Sequence, residues 1–138
     1  MALQWKQYSG KWNLQTQGQA AGARTWPAPS FGGGELWAWG RGNVGQLGLS
    51  NITAYSSPKQ VGSLTDWSSV SGANEVSAAV KTDGTLWTWG SGYSGKLGHG
   101  NTTNYSSPKQ VGALTDWASV SMQSSQALAV KTDGTLWA

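Results

Sequence analysis

The sequence predicts an all-β fold built from antiparallel blades, and three observations carry that prediction. First, Leu36-Trp37-Ala38-Trp39-Gly40 returns fifty residues later as Leu86-Trp87-Thr88-Trp89-Gly90 and begins again at Leu136-Trp137-Ala138. Second, residues 35 to 84 laid over residues 85 to 134 without a gap agree at 31 of 50 positions, which marks a tandem repeat. Third, each unit carries Asp-Gly between two apolar runs, at Asp83-Gly84 and Asp133-Gly134, a strong local signal for a β-hairpin. Repeats of this period belong to propellers, solenoids or arrays in which one supersecondary unit recurs.

Taken in order, each element has its own reason. Leu36-Trp37-Ala38-Trp39 is a strand in which Trp37 and Trp39 share one face and Leu36 takes the other. Its copy places Trp87 and Trp89 alike, and all four indoles are expected at equivalent buried positions between blades. A short strand through Lys59-Gln60-Val61, and again Lys109-Gln110-Val111, is expected after the Ser-Ser-Pro breaker at 56 to 58 and 106 to 108. Trp67 to Ser71 and Trp117 to Ser121 read as a further strand, entered from the turn-prone Thr65-Asp66 and Thr115-Asp116. Ala79 to Trp87 reads as a hairpin with a two-residue Asp-Gly turn and Thr82 opposite Thr85. Three or four short antiparallel strands per unit amount to one propeller blade.

On these residues the chain resembles a known family. L-W-x-W-G, then Gly45-Gln46-Leu47-Gly48 and Gly95-Lys96-Leu97-Gly98, then Pro-Lys-Gln-Val, then V-S leading into A-V-K-T-D-G, are similar to the RCC1-type (regulator of chromosome condensation) repeat. That resemblance implies a β-propeller, seven-bladed in the family, with residues 35–84 and 85–134 as two repeats and 135–138 opening a third. It departs from the family pattern after V-S, where Gly72 is kept in the first copy, Met122 replaces it in the second, and neither copy has the usual His. Two units are too few for a ring of about 4 to 8 blades. A longer parent chain is therefore expected, with completion by several chains or open stacking as the alternatives.

Residues 1–34 share nothing with the repeat and form a separate N-terminal arm. They contain Lys6, Lys11 and Arg24 and no acid, whereas residues 35–138 hold six basic and six acidic residues, so the net charge of +3 lies wholly in the arm. Trp5, Tyr8, Trp12 and Trp26 are aromatic surface that a Gln-, Gly- and Ala-rich segment cannot bury by itself. With Lys11 and Arg24 they are the candidate partner-anchoring residues, behind a hinge at Gly32-Gly33-Gly34. Ser9-Gly10-Lys11-Trp12-Asn13-Leu14, followed by Thr25-Trp26-Pro27, resembles N-terminal segments of tailed-phage structural and appendage proteins. This resemblance implies a virion component assembled in the host cytoplasm and held to other virion proteins through the arm. It would be a homo-oligomer or part of a large assembly, with blade loops free to meet a host-surface receptor.

The repeats themselves argue for binding and against catalysis. Four of the six acids are the repeat pairs Asp66/Asp116 and Asp83/Asp133 at turn positions, where a carboxylate bonds nearby backbone N–H groups, leaving no convergent acid pair for hydrolysis. His99 is the sole histidine and cysteine is absent, so neither a His-based triad nor a thiolate metal site is indicated, and no cofactor or metal is expected. Clustered Lys and Arg for nucleic-acid binding are missing from the repeats, and no apolar run approaches the length of a membrane-spanning helix. The two copies diverge in two clusters, residues 41–54 against 91–104 and 72–78 against 122–128, and Arg41, Asn43, Tyr93, Lys96, His99 and Asn104 are among the differing positions of the first. Variation in loops carried by matching strands is the pattern of an adjustable rim, and these six are the rim-loop binding candidates.

Overall fold

A computed structural model describes residues 33 to 138. The arm candidates Trp5, Tyr8, Lys11, Trp12, Arg24 and Trp26 lie outside the described residues. Nine strands follow in order: β1 (Trp37–Gly40), β2 (Tyr55–Gln60), β3 (Trp67–Ala73), β4 (Val76–Lys81), β5 (Leu86–Gly90), β6 (Tyr105–Gln110), β7 (Trp117–Met122), β8 (Ala127–Lys131) and β9 (Leu136–Trp137). A short 3-10 turn, Tyr93–Gly95, joins β5 to β6.

The strands form three antiparallel sheets: β1-β2, the four-stranded β3-β4-β5-β6, and β7-β8-β9. The repeat is thus a blade, but out of phase with the sequence unit. One complete blade takes its two inner strands from the end of the first repeat and its two outer strands from the start of the second. The described residues amount to this blade flanked by the outer half of a preceding one and most of a following one.

β4 explains how the blades pack. Val76, Ala78 and Val80 project toward the following sheet, where Met122, Trp117 and Ala129 meet them beside Leu97 from the blade's own β5–β6 loop, while Ala79 faces back toward Leu36, Val61, Trp67 and Trp89. Both faces of the strand are consequently buried, as its unbroken apolar run requires. Lys81 ends the strand almost fully buried: its ammonium lies 5.0 Å from the Trp67 ring and 4.5 Å from the Trp87 ring, and pairs with Asp66 at 3.4 Å. Desolvated over two indoles, such a cation is held by their negative faces as well as by the carboxylate. Lys131 repeats the arrangement with Trp117, Trp137 and Asp116.

Five sequence expectations change here. Trp37 and Trp39 are in register with Trp87 and Trp89 but are 47% and 59% exposed, whereas Trp89 is 2% exposed. All four face the preceding blade, and for β1 none is present among the described residues. The hairpin loop has three residues, Thr82, Asp83 and Gly84: Lys81 N–H bonds Thr85 O, so Lys81 rather than Thr82 stands opposite Thr85, and of Asp83 and Gly84 only the glycine adopts positive φ. The Ser-Ser-Pro segments lie inside β2 and β6 rather than before them, tolerated because these are outer strands with one open edge. Asp66 and Asp116 form ion pairs with Lys81 and Lys131 across the blade. Finally, the expected hinge is tied down at its last residue, since Gly34 exchanges two backbone hydrogen bonds with Trp67, at 2.9 and 3.2 Å.

Candidate functional site: rim loops and an inter-blade groove

The loops between β1 and β2 and between β5 and β6 form one rim. Each opens with the same device, a turn closed by Gly45 N–H on Gly42 O and by Gly95 N–H on Gly92 O. Each then bonds an asparagine across its neck: Asn51 Oδ1 accepts from Thr53 N–H, and Asn101 Oδ1 from Thr103 N–H. On this shared frame the six rim candidates divide by what they touch. Asn43 accepts from the Gln46 amide at 3.2 Å, and Asn104 accepts from Gly92 N–H at 2.9 Å, so both brace their own loops. Lys96 donates to Ser124 O at 3.0 Å and so reaches the inner-strand loop of the next sheet.

His99 is also built in. Its Nε2 lies 3.0 Å from the Thr88 hydroxyl, and its ring meets Tyr105 edge-on at 5.1 Å. Burial pushes its pKa below the usual histidine value, and the nearby Lys109 charge pushes the same way. Tyr105 in turn accepts from Lys109 at 2.8 Å and from Asn101 at 3.3 Å, and these bonds lower its phenol below the usual range. Arg41 and Tyr93 remain as outward-facing groups, Tyr93 being 77% exposed.

Sequence reasoning missed the residue that joins the blades at the rim. The backbone carbonyl of Gln46 accepts both the Trp89 indole N–H and the Ser77 hydroxyl, each at 2.9 Å. Ser50 adds a bond from its N–H to Ser106 O at 2.8 Å. Because Gln46 acts through its backbone and differs between the copies, only its place inside G-x-L-G could have pointed to it. Lys81 was likewise hidden, although a lysine kept in both copies of an apolar strand is a signal that it is held.

One further feature lies between the complete blade and the last sheet. A groove of about 340 Å³ opens there, lined by Leu86, Leu97, Gly98, Val111, Trp117 and Ala129 among others. Among the described residues no cluster of three or more His, Asp or Glu side chains could hold a metal ion, and no helix is long and apolar enough to cross a membrane.

A four-stranded antiparallel blade packed face to face through tryptophan against the sheets on either side, with a loop rim at one end, has the architecture of a repeat propeller. The family model described as the regulator of chromosome condensation (RCC1) repeat matches residues 33–80 and 83–130, and the chain belongs to that family. No curated protein matches the chain. Among solved structures, human WBSCR16 is similar with a TM-score of 0.66 at 22% identity, over 75% of this chain and 27% of its own. Yeast RCC1 (Prp20), in a complex with Kap60, is similar with a TM-score of 0.64 at 21% identity, over 74% of this chain and 27% of its own. Prp20p from Saccharomyces cerevisiae, solved by itself and described with its binding to Gsp1p and histones, gives 0.65 at 20% identity, over 74% of this chain and 28% of its own. The chain therefore spans little more than a quarter of the length of these structures, and the likeness is one of fold.

Proposed function

We propose that this chain is a non-enzymatic protein-binding scaffold whose recognition surface is the rim, with Arg41 and Tyr93 as the contact residues. The observation that supports this reading is the division of labour within the rim. Asn43, Lys96, His99 and Asn104 hold the loops, while Arg41 and Tyr93, which differ from their counterparts Ser91 and Asn43, point outward. Tyrosine and arginine are the residue types most often found as binding hot spots. Affinity capture with the whole chain should retain a defined protein partner that Tyr93→Ala and Arg41→Ala lose and that Leu64→Ala, away from the rim, keeps. Equal retention by all variants would remove the rim from consideration.

The finer reading places this scaffold on a tailed-phage virion, as a tail-fibre, appendage or capsid-surface component held through residues 1–34. Its support is the arm's sequence alone: basic, acid-free and aromatic, with the short segments 9–14 and 25–27 whose resemblance to phage structural proteins was noted above. Deleting residues 2–30 should leave the repeats folded while abolishing incorporation into particles, measured by mass spectrometry of purified virions. Charge reversal at Lys11 and Arg24 should weaken incorporation in a salt-dependent way. Normal incorporation of the deletion variant would leave the general binding scaffold standing. A nucleotide-exchange role is the weaker alternative, because the repeats carry balanced charge and none of the clustered basic residues that chromatin binding needs.

A further inference from the structure

Tyr105 and Lys109 both lie on β6, where a regular pleat would hold residues four apart about 13 Å from each other. The register brings them together instead. Gly90 pairs with Tyr105 and Thr88 with Lys109, so two steps along β5 are matched by four along β6, and Ser106, Ser107 and Pro108 form a bulge between them. The β1–β2 loop pins that bulge: Ser50 N–H donates to Ser106 O at 2.8 Å, and the Ser50 and Ser107 hydroxyls meet at 3.0 Å.

Two donors converge on the Tyr105 phenol as a result. Lys109 Nζ donates to Oη at 2.8 Å while standing 4.1 Å from the ring centroid, and Asn101 Nδ2 donates to the same oxygen at 3.3 Å. Both bonds lie at the surface. The ring beneath them is held, because it packs against the core clusters around Trp89 and Leu97 and meets His99 edge-on at 5.1 Å. His99 is fixed in turn. Thr88 Oγ1 gives its proton to Leu97 O at 2.7 Å, so its contact with His99 at 3.0 Å accepts from Nε2–H, which sets the tautomer.

A cation and an amide donating to one phenol oxygen favour the phenolate, and Tyr105 is lowered from the ordinary tyrosine value chiefly by the Lys109 bond and next by that of Asn101. The first copy is built differently. Tyr55 keeps the asparagine bond, from Asn51 at 3.2 Å, but Lys59 stands 5.6 Å from its ring and Leu49 takes the place of His99. Every group that acts on Tyr105 comes from β5, β6 and the loop between them, with the β1–β2 loop behind the bulge, so the arrangement is complete within the described residues.

We propose that Tyr105 is a nucleophilic tyrosine, a covalent modification site for hard electrophiles of the sulfonyl class, with Lys109 and Asn101 holding its oxygen. In the step the phenol oxygen attacks sulfur, an O–S bond forms, and the bond from sulfur to the leaving group breaks. The leaving group departs with that electron pair and the phenol proton passes to solvent, so nothing is oxidised or reduced.

The three described tyrosines supply the test, since Tyr93 is 77% exposed whereas Tyr55 and Tyr105 are half-buried. The full chain is treated with a limiting amount of an aryl sulfonyl fluoride near neutral pH, and the adducts are located by peptide mass spectrometry. Tyr105 should be labelled ahead of Tyr93 and Tyr55 by about fivefold, as an activated nucleophile would be. Lys109→Met, at an exposed position, should keep the same far-ultraviolet circular dichroism and bring Tyr105 down to the level of Tyr55. With Lys109 and His99 as the titratable groups facing the ring, the labelling rate at Tyr105 should reach half its maximum below the ordinary tyrosine pKa of about 10. Labelling that follows exposure, with Tyr93 ahead of Tyr105, or labelling of Tyr105 that Lys109→Met leaves unchanged, would overturn the proposal.

Discussion

Trp39 and Trp89 are the same residue in the same motif at the same register, and they do opposite things. Trp89 is closed between two blades, with its indole N–H bonded to Gln46 O, while Trp39 stands on a strand with no preceding blade among the described residues. In a propeller a strand's burial is a property of its neighbours, because each blade is apolar on both faces and neither face can be covered from within the blade. The first and second copies of this repeat therefore form an internal control: identical residues whose environments differ only by what lies alongside.

The largest expected effect comes from the indoles themselves. Trp89→Ala should destabilise the protein by about 3 to 5 kcal/mol, the usual range for deleting a large buried aromatic, whereas Trp39→Ala in dilute solution should stay within about 0.5 kcal/mol. Denaturant unfolding of both variants measures the difference, and equal losses would end the comparison.

Gly84 and Gly134 separate backbone strain from packing. Both have left-handed φ, +78° and +84°, and alanine at either costs about 1 to 2 kcal/mol for that reason alone. A Cβ at Gly84 would in addition collide with Thr115 O, whereas nothing lies within 4 Å of one at Gly134. Gly84→Ala should therefore be the worse by a further ~1 to 3 kcal/mol, the typical cost of overpacking.

A smaller, pH-dependent difference is expected where Leu49 of the first copy becomes His99 in the second. Because burial holds the folded-state pKa of His99 below its unfolded value, the unfolded chain binds the proton more readily. Stability is then full above the ordinary histidine pKa of about 6.5 and declines as pH falls from there toward the folded-state pKa. His99→Leu should flatten that decline in thermal unfolding between pH 7 and pH 5.

The smallest effect belongs to the hairpin carboxylates. Asp83 Oδ1 accepts from the Thr85 hydroxyl at 2.7 Å and its N–H at 2.9 Å, and these bonds hold the pKa below the usual aspartate value. Its contribution is present above the unfolded pKa of about 3.9 and is lost as pH falls through the folded one, so Asp83→Asn should lower stability at neutral pH and lessen acid sensitivity. Asp133 makes the same bonds to Thr135, and Asp133→Asn should behave alike.

Much of this was legible in the residues. The fifty-residue period, the alternation of Leu36 against Trp37 and Trp39, and Asp-Gly before each L-W together specify antiparallel blades, because strand alternation and turn chemistry are local properties of the backbone. The rim was legible as the place where two copies diverge. Which rim residues brace and which face outward was not: the bond of Asn104 to Gly92 N–H spans twelve residues and that of Lys96 to Ser124 O spans twenty-eight.

What the sequence determined by itself was the repeat, the order of its strands, the places of its Asp-Gly hairpins and its family; the length of the hairpin loop and the bounds of β2 and β6 came from the structure. Tertiary structure decided the phase. A blade runs from Trp67 to Gln110 across the repeat boundary, because β4 can hydrogen-bond β3 on one edge and β5 on the other, and β5 then takes β6 from the next unit. The Asp83-Gly84 turn already ties β4 to β5 across that boundary, whereas the pairing of β5 with β6 of the next unit depends on tertiary contacts that no residue pattern records.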